Sequence, residues 1–289
     1  MITPGQAFYG MSRLARPYTR ADVLAGQVIR ISPALITITD GRVDREPAAA
    51  LQREVVAQVQ TLLEHGVRSF HVDVNFDDYG GFGSQPPDRN AHVFDPAFVR
   101  DLNALVAGQD AFLTLHLLTD NPTQHLRTYT GIPLGAICFQ LDAVPDPAAL
   151  ADLVGQITAM GACASPVIET VGTESLSPAA PDVVRQQLAP VRHAVMLTLQ
   201  AAGTGTRSNQ AAGALAEAEV AAHLAALRPT FGGTVQLQGG IKIETVGAAV
   251  RLGAEFLVAG TQLFRHPHDL PTAHVIDQML LQAASVLTG

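Results

Sequence analysis

The sequence predicts an α/β fold, a single (β/α)8 barrel, on three observations. Short apolar runs rich in β-branched residues alternate with longer Ala- and Leu-rich stretches at helical spacing, the rhythm of a parallel sheet. Eight runs and eight helical stretches can be marked, and eight of each is the number that closes a parallel barrel. A chain of 289 residues, 47% of them hydrophobic, can bury such a barrel as one domain. An open doubly wound sheet fits the same alternation and is the alternative at this level.

Residues 1–26 stand outside the rhythm and form an N-terminal extension to a barrel domain at 27–289. A cap on the barrel bottom, an oligomer contact and a disordered arm are all compatible with them. The first strand candidate is VIRISPALI at 28–36, and a helical stretch at 47–64 leads to SFHVDVN at 69–75. A helix near 95–107 precedes AFLTLHLL at 111–118, and one near 121–129 precedes GAICFQLDA at 135–143. Then come a helix at 146–159, GACASPVIE at 161–169, a helix at 181–188 and HAVMLTLQ at 193–200. The last pairs are 213–228 with TVQLQ at 234–238, 243–252 with AEFLVAG at 254–260, and a closing helix at 272–286. Asp95 before Pro96 and Asn121 before Pro122 pair an N-cap residue with Pro at the first helical position. Gly66, Gly161 and Gly253 fall where helices stop and strands begin, as left-handed caps require.

The net charge of −8, with only 18 Lys and Arg, offers no basic footprint for a phosphate backbone, so nucleic acid is excluded as a partner class. Apolar runs such as FLTLHLL are far shorter than the roughly 20 residues that span a bilayer. The first twenty residues lack an apolar h-region. These features read as a soluble, cytoplasmic protein without membrane contact. Cys138 and Cys163 cannot form a disulfide framework and, in apolar strands, read as buried free thiols.

Strands of a parallel barrel are buried on both faces, so polar side chains near their carboxyl ends need a reason. His71 and Asp73 are two apart and share one side of their strand, with Val72 and Val74 on the other. His116 interrupts the next apolar strand. Together they can supply three ligands to Zn²⁺ or another divalent transition metal. Taken singly, each also reads as a hydrogen-bonded core polar group. At the other end of the chain, LQGGI at 237–241 and VAGTQLF at 258–264 follow the last two strands. Glycine there lets backbone N–H groups approach an anion, and these are the recurrent phosphate loops of a barrel. GTGTRSN at 203–209 adds Gly203, Gly205 and Arg207 from the sixth loop.

These pieces resemble the ribulose-phosphate 3-epimerase family over about residues 28–265. ISPALI at 31–36 is similar to the family's ISPSLL, HVDV at 71–74 to its HVDVMDG, and LHLLTDNP at 115–122 to its VHLMVENP. FQLDA resembles the family's fourth strand, and LQGGI and VAGTQLF resemble its VDGGI and VAGSAIF. The resemblance implies a TIM barrel of the ribulose-phosphate-binding type and a sugar-phosphate substrate, and a homo-oligomer is the expected assembly. It implies a divalent metal ion (Zn, Fe, Mn or Co) on His71, Asp73 and His116. Ser32 would then lie near the substrate, and the backbone of Gly239, Gly240, Gly260 and Thr261 would hold the phosphate. In the family, aspartates of strands two and seven exchange a proton beside the keto group while the metal stabilises the enediolate.

Asp73 matches the first aspartate, but Gln238 stands where the second belongs. A glutamine amide can offer an oxygen but cannot shuttle a proton near neutral pH. The segment after HVDV reads NFDD, the family's other site methionines appear as Leu118 and Leu197, and the second loop, YGGFGSQPPDRN, is rewritten. Three functions stay open: an epimerase in which Asp77, Asp78 or Asp142 replaces the lost acid, a one-base isomerase or lyase on a related substrate, and a non-catalytic sugar-phosphate binder.

Overall fold

The computed structural model describes residues 5, 19–80, 89–170, 179–198, 217–265 and 271–289. Its eight strands are β1 (Arg30–Pro33), β2 (Ser69–Asn75), β3 (Phe112–Leu118), β4 (Ala136–Gln140), β5 (Cys163–Ile168), β6 (Ala194–Thr198), β7 (Thr234–Gln238) and β8 (Phe256–Ala259). They form one parallel sheet in the order β1-β8-β7-β6-β5-β4-β3-β2. An Ala34–His71 bridge and a 2.8 Å bond from Leu35 N to His71 O join its two ends. The closed ring decides between barrel and open sheet in favour of the barrel. Seven of its eight neighbouring pairs are ladders, the β5–β6 one only two residue pairs long, and the β1–β2 seam rests on a bridge.

β2 and β7 have the bounds their patterns predict, but β1 and β4 are shorter. Residues Ile36–Thr39 turn into a short helix after Pro33, and Leu141–Ala143 form a 3-10 turn after Gln140. Their apolar side chains reach the core without extended backbone, a distinction that hydrophobic pattern alone does not make.

Strand alternation divides the apolar residues into separate layers. Val72, Leu115, Ile137, Leu197, Val235 and Leu257 point outward and join one cluster with Leu51, Val55, Leu102 and Leu150 of the surrounding helices. Inside the barrel, Ala136, Cys163, Ala194 and Phe256 pack at one level, and Ala34, Cys138, Val167, Met196 and Val258 at another. Both cysteines are buried thiols, Cys163 Sγ donating to Gly5 O at 3.0 Å, and burial pushes the Cys138 thiol up to about 12. The interior below is therefore filled by apolar and small polar side chains together, Gln236 Nε2 donating to Ser165 Oγ at 2.8 Å, and His71, Asp73 and His116 lie toward the carboxyl ends.

The glycine stops lie where expected, with φ of 97° at Gly66, 83° at Gly161 and 87° at Gly253. Asp95 caps the helix Pro96–Ala107, its Oδ1 accepting from Ala97 N at 2.8 Å and Phe98 N at 3.0 Å. Asn121 corrects the matching expectation. Pro122–Leu126 starts where predicted, but the Asn121 side chain makes no cap bond and instead donates to Asp78 Oδ2 at 2.9 Å. Asp95→Ala should therefore lower unfolding stability by about 1 kcal/mol in urea titration. Asn121→Ala, which forfeits no cap, should lower it by less.

The described end of the N-terminal extension is structured. Helix Arg20–Leu24 begins at a Thr19–Asp22 capping box and packs on the final helix Thr272–Leu287, with Val23 fully buried. Leu24, Ala25 and Gly26 line a cleft with Arg30 and Ser69, at the amino ends of β1 and β2. Among the described residues, no helix is long and apolar enough to cross a membrane.

Candidate active site at the barrel mouth

β2 and β3 pair in register, with Asp73 opposite His116, so period-two alternation turns His71, Asp73 and His116 into the barrel together. All three are buried, and a ligand atom from each lies within 4.8 Å of the others. Asp73 Oδ1 lies 3.2 Å from His71 Nε2 and 2.9 Å from His116 Nδ1. It also accepts a 3.2 Å bond from Gln238 Nε2 on β7. Burial alone would raise the Asp73 carboxyl, but His71 and His116 outweigh it and hold the group well below the usual carboxylate range.

Three contacts crowd one oxygen of Asp73 and leave the other bare. Asp73 Oδ2, His71 Nδ1 and Gln238 Oε1 are buried without a hydrogen-bond partner among the described residues. Leaving such groups unpaired costs on the order of 1–3 kcal/mol each. A divalent ion would satisfy oxygen and imidazole lone pairs together, and two imidazoles with a carboxylate suit Zn²⁺ and its first-row neighbours. The residues present therefore fit the metal that the sequence suggests. Gln238 adds an amide oxygen beside them where the family has a carboxylate.

Around this cluster runs a polar ring. His116 Nε2 lies 2.9 Å from Gln140 Oε1, and Gln140 Nε2 donates to Glu169 Oε1 at 2.7 Å. Thr198 Oγ1 donates to Glu169 Oε2 at 2.8 Å and accepts from Thr170 N at 3.2 Å. Because the Gln140 amide gives its N–H to Glu169, its oxygen faces His116. His116 Nε2 therefore donates to it, which fixes the ring with Nδ1 turned toward Asp73. The backbone of β2 is pinned in turn: Asn90 donates to Asp73 O at 3.0 Å and accepts from Asn75 N at 2.7 Å. Tyr79, from the segment after β2, is buried beside Gln140. Burial, then the Glu169 and Asp142 carboxylates, push its phenol up, so it stays protonated.

The structure brings His71, Asp73, His116 and Gln238 together. Ser32 sits deeper, its Oγ 3.0 Å from Ser69 Oγ, two residues before the Ala34 that bridges to His71. Asp77 and Asp78 are exposed. The Asp78 carboxylate is engaged by Thr119 at 2.7 Å, Asn121 at 2.9 Å and His125 at 3.2 Å. Burial opposes ionisation of Asp78, but these bonds prevail and lower its pKa. Asp142 is exposed on the turn after β4, and desolvation raises its carboxyl. After β7, Gly239 and Gly240 have φ of 91° and 67°, which favour glycine, and Thr245 Oγ1 donates to Gly240 O at 2.6 Å. A Cβ on Gly260 would stand 2.2 Å from Thr37 Oγ1, and Thr261 opens the short helix Thr261–Phe264. Gly203, Gly205 and Arg207 lie outside the described residues.

Sequence reasoning passed over Gln140, Glu169, Thr198, Asn90 and Tyr79. Three of them carried a signal: Gln140 and Thr198 lie two residues beyond the inward Cys138 and Met196, and Glu169 closes the fifth strand's run.

Fold and site define a class: a (β/α)8 barrel with a buried His–Asp–His cluster at the carboxyl ends of two adjacent strands. Within that class, residues 47–264 match the Ribulose-phosphate 3 epimerase family, and the chain belongs to it. A curated relative, ribulose-phosphate 3-epimerase of Candida glabrata, is 26% identical over 168 residues, 57% of this chain. The match spans 61% of that relative's length. Among solved structures, 3-hexulose-6-phosphate synthase from Salmonella typhimurium superposes with a TM-score of 0.58 at 12% identity, covering 88% of this chain and 100% of that one. KGPDC from Streptococcus mutans gives 0.56 at 9% identity, covering 90% and 99%. At these identities the two structures report the fold alone.

Proposed function

We propose that the protein is a ribulose-phosphate 3-epimerase-like enzyme that removes a proton beside the carbonyl of a phosphorylated ketose. The observation that carries this reading is the buried His71–Asp73–His116 cluster at the barrel mouth, with Asp73 Oδ2 left without a partner among the described residues. His71, Asp73 and His116 would hold a divalent ion, with Gln238 Oε1 beside them. Such an ion supplies positive charge for the oxygen on which negative charge develops as the C–H bond breaks. Asp73 then acts as the base, its carboxylate kept ionised by the two imidazoles. Asn90 fixes the Asp73 backbone, and Gln140 fixes the ring of His116.

The same reading assigns the substrate phosphate to the backbone of Gly239, Gly240, Gly260 and Thr261, with Arg207 contributing charge from the sixth loop. Each charge-assisted bond there is worth about 1.5–3 kcal/mol, so two of them predict that unphosphorylated ribulose binds roughly 10²-fold or more weakly than ribulose 5-phosphate. Equal binding by calorimetry would remove the phosphate assignment.

A one-base isomerase or lyase is the second reading, favoured by one observation: Gln238 carries no exchangeable carboxyl proton. Incubation with pentulose and hexulose phosphates in D2O, followed by proton NMR, separates the two. Metal-dependent deuterium uptake with inversion at the carbon supports the epimerase, and uptake without inversion supports the one-base enzyme. No uptake from any of these substrates would overturn both and leave a sugar-phosphate binder.

A further inference from the structure

We propose that Glu169 supplies the second proton-transfer group of this site, facing Asp73 from the opposite wall of the barrel. This rests on the ketose-phosphate reading above and goes beyond it by replacing the acid absent at position 238. In the closed ring of eight, β6 is the strand opposite β2. Thr198 on β6 pairs in register with Gln238 on β7, and its hydroxyl holds Glu169 just past the end of β5. Glu169 and Gln238 thus flank Thr198 at one level, on the wall across from Asp73. The carboxylate missing from one side of Thr198 is present on the other.

The surroundings of Glu169 suit a proton donor. Its two oxygens accept from Gln140 and Thr198, which fix the carboxyl, and its residue is half-buried at the barrel mouth. Desolvation raises its pKa above the usual glutamate range against those two bonds and His116, and Asp142 adds to the rise. The proton is therefore held closer to neutral pH, where a general acid works best. The Tyr79 phenol is near enough for the Glu169 charge to raise it. Glu169 does not touch the His71–Asp73–His116 cluster: Gln140 lies between it and His116.

The step balances without an outside reagent. Asp73 takes the proton from the carbon beside the carbonyl, and the C–H electron pair forms the carbon–carbon double bond as the carbonyl oxygen takes the charge. The Glu169 carboxylic acid then gives its proton to the opposite face of that carbon, and the carbonyl re-forms. The product is the inverted epimer, with Asp73 protonated and Glu169 ionised. In the reverse direction the two exchange roles.

The test uses the metal-loaded full chain in D2O, with ribulose 5-phosphate and xylulose 5-phosphate as probes. Wild type should exchange the C3 proton of both. Glu169→Gln keeps the shape of the side chain and should lose interconversion by about 10²–10⁴-fold. It should still wash out the C3 proton of the epimer that faces Asp73, and not that of the other. Metal content should stay at the wild-type level, and adding Gln238→Asp should restore washout from the second epimer. If Glu169→Gln behaves as wild type, or lowers washout from both epimers equally, Glu169 is not the second group. If wild type exchanges neither probe, the ketose-phosphate reading fails, and this assignment with it.

Discussion

His116→Ala should strip the barrel mouth of most of its divalent metal. The argument starts from the pairing of β2 with β3, which sets His116 opposite Asp73 and within 2.9 Å of its Oδ1. Removing the imidazole takes away one of the three proposed ligands and leaves His71 and Asp73 on a single strand, with only the neutral Gln238 amide beside them. Loss of a partner that merely orients a ligand already weakens metal binding by about 10–100-fold, so loss of a ligand should weaken it by at least about 10². The variant also leaves Gln140 Oε1 and Asp73 with one partner fewer, so metal should be measured per folded, monodisperse protein after gel filtration. One metal per chain in that preparation, at the wild-type affinity, would overturn the assignment of His116 as a ligand.

Gln238→Asp should raise ribulose 5-phosphate 3-epimerase activity. In wild type the Gln238 amide donates to Asp73 Oδ1 at 3.2 Å, so it steadies the anion but carries no carboxyl proton. Standard epimerase turnover should accordingly be weak, with Glu169 supporting it from two strands away. A carboxyl at β7 adds an acid/base group alongside Glu169, so the gain should fall short of the about 10²–10⁴ in rate that such a group is worth alone, and should approach it in the Glu169→Gln background. The substitution also sets a second carboxylate near the buried Asp73, where two like charges oppose each other unless a cation lies between them. Gln238→Asp should therefore bind the metal more tightly than wild type, and chelation should lower its melting temperature by more. Wild-type turnover of ribulose 5-phosphate at about 1–10³ per second would sink the inference drawn from Gln238.

The barrel was legible because each strand carries its own pattern and punctuation. Gly66, Gly161 and Gly253 mark helix ends by a backbone conformation that other residues avoid, and the mixed SFHVDVN run reveals which side faces inward. The strand ends after Pro33 and Gln140 were less legible, since an apolar residue looks alike in a strand, a 3-10 turn and a short helix. Asn121 shows the same limit at a helix start. Asn before Pro is a cap signal, yet the side chain finds the Asp78 carboxylate instead, a partner 43 residues away. His71, Asp73 and His116 could be grouped because they stand on consecutive strands and interrupt apolar runs. Glu169 could not, since its meaning depends on Gln140 and Thr198, which reach it only when β4, β5 and β6 are side by side. The acids nearest in sequence to β2, Asp77 and Asp78, turn out to be exposed.

The most direct test is a crystal structure of the metal-loaded protein with ribulose 5-phosphate, with diffraction collected at the metal's absorption edge. The anomalous peak should lie within about 2.0–2.2 Å of ligand atoms from His71, Asp73 and His116. The sugar should then lie between Asp73 and Glu169, with its phosphate against Gly239, Gly240, Gly260 and Thr261. An ion bound elsewhere, or a sugar phosphate at the amino end of the barrel, would contradict this account of the site.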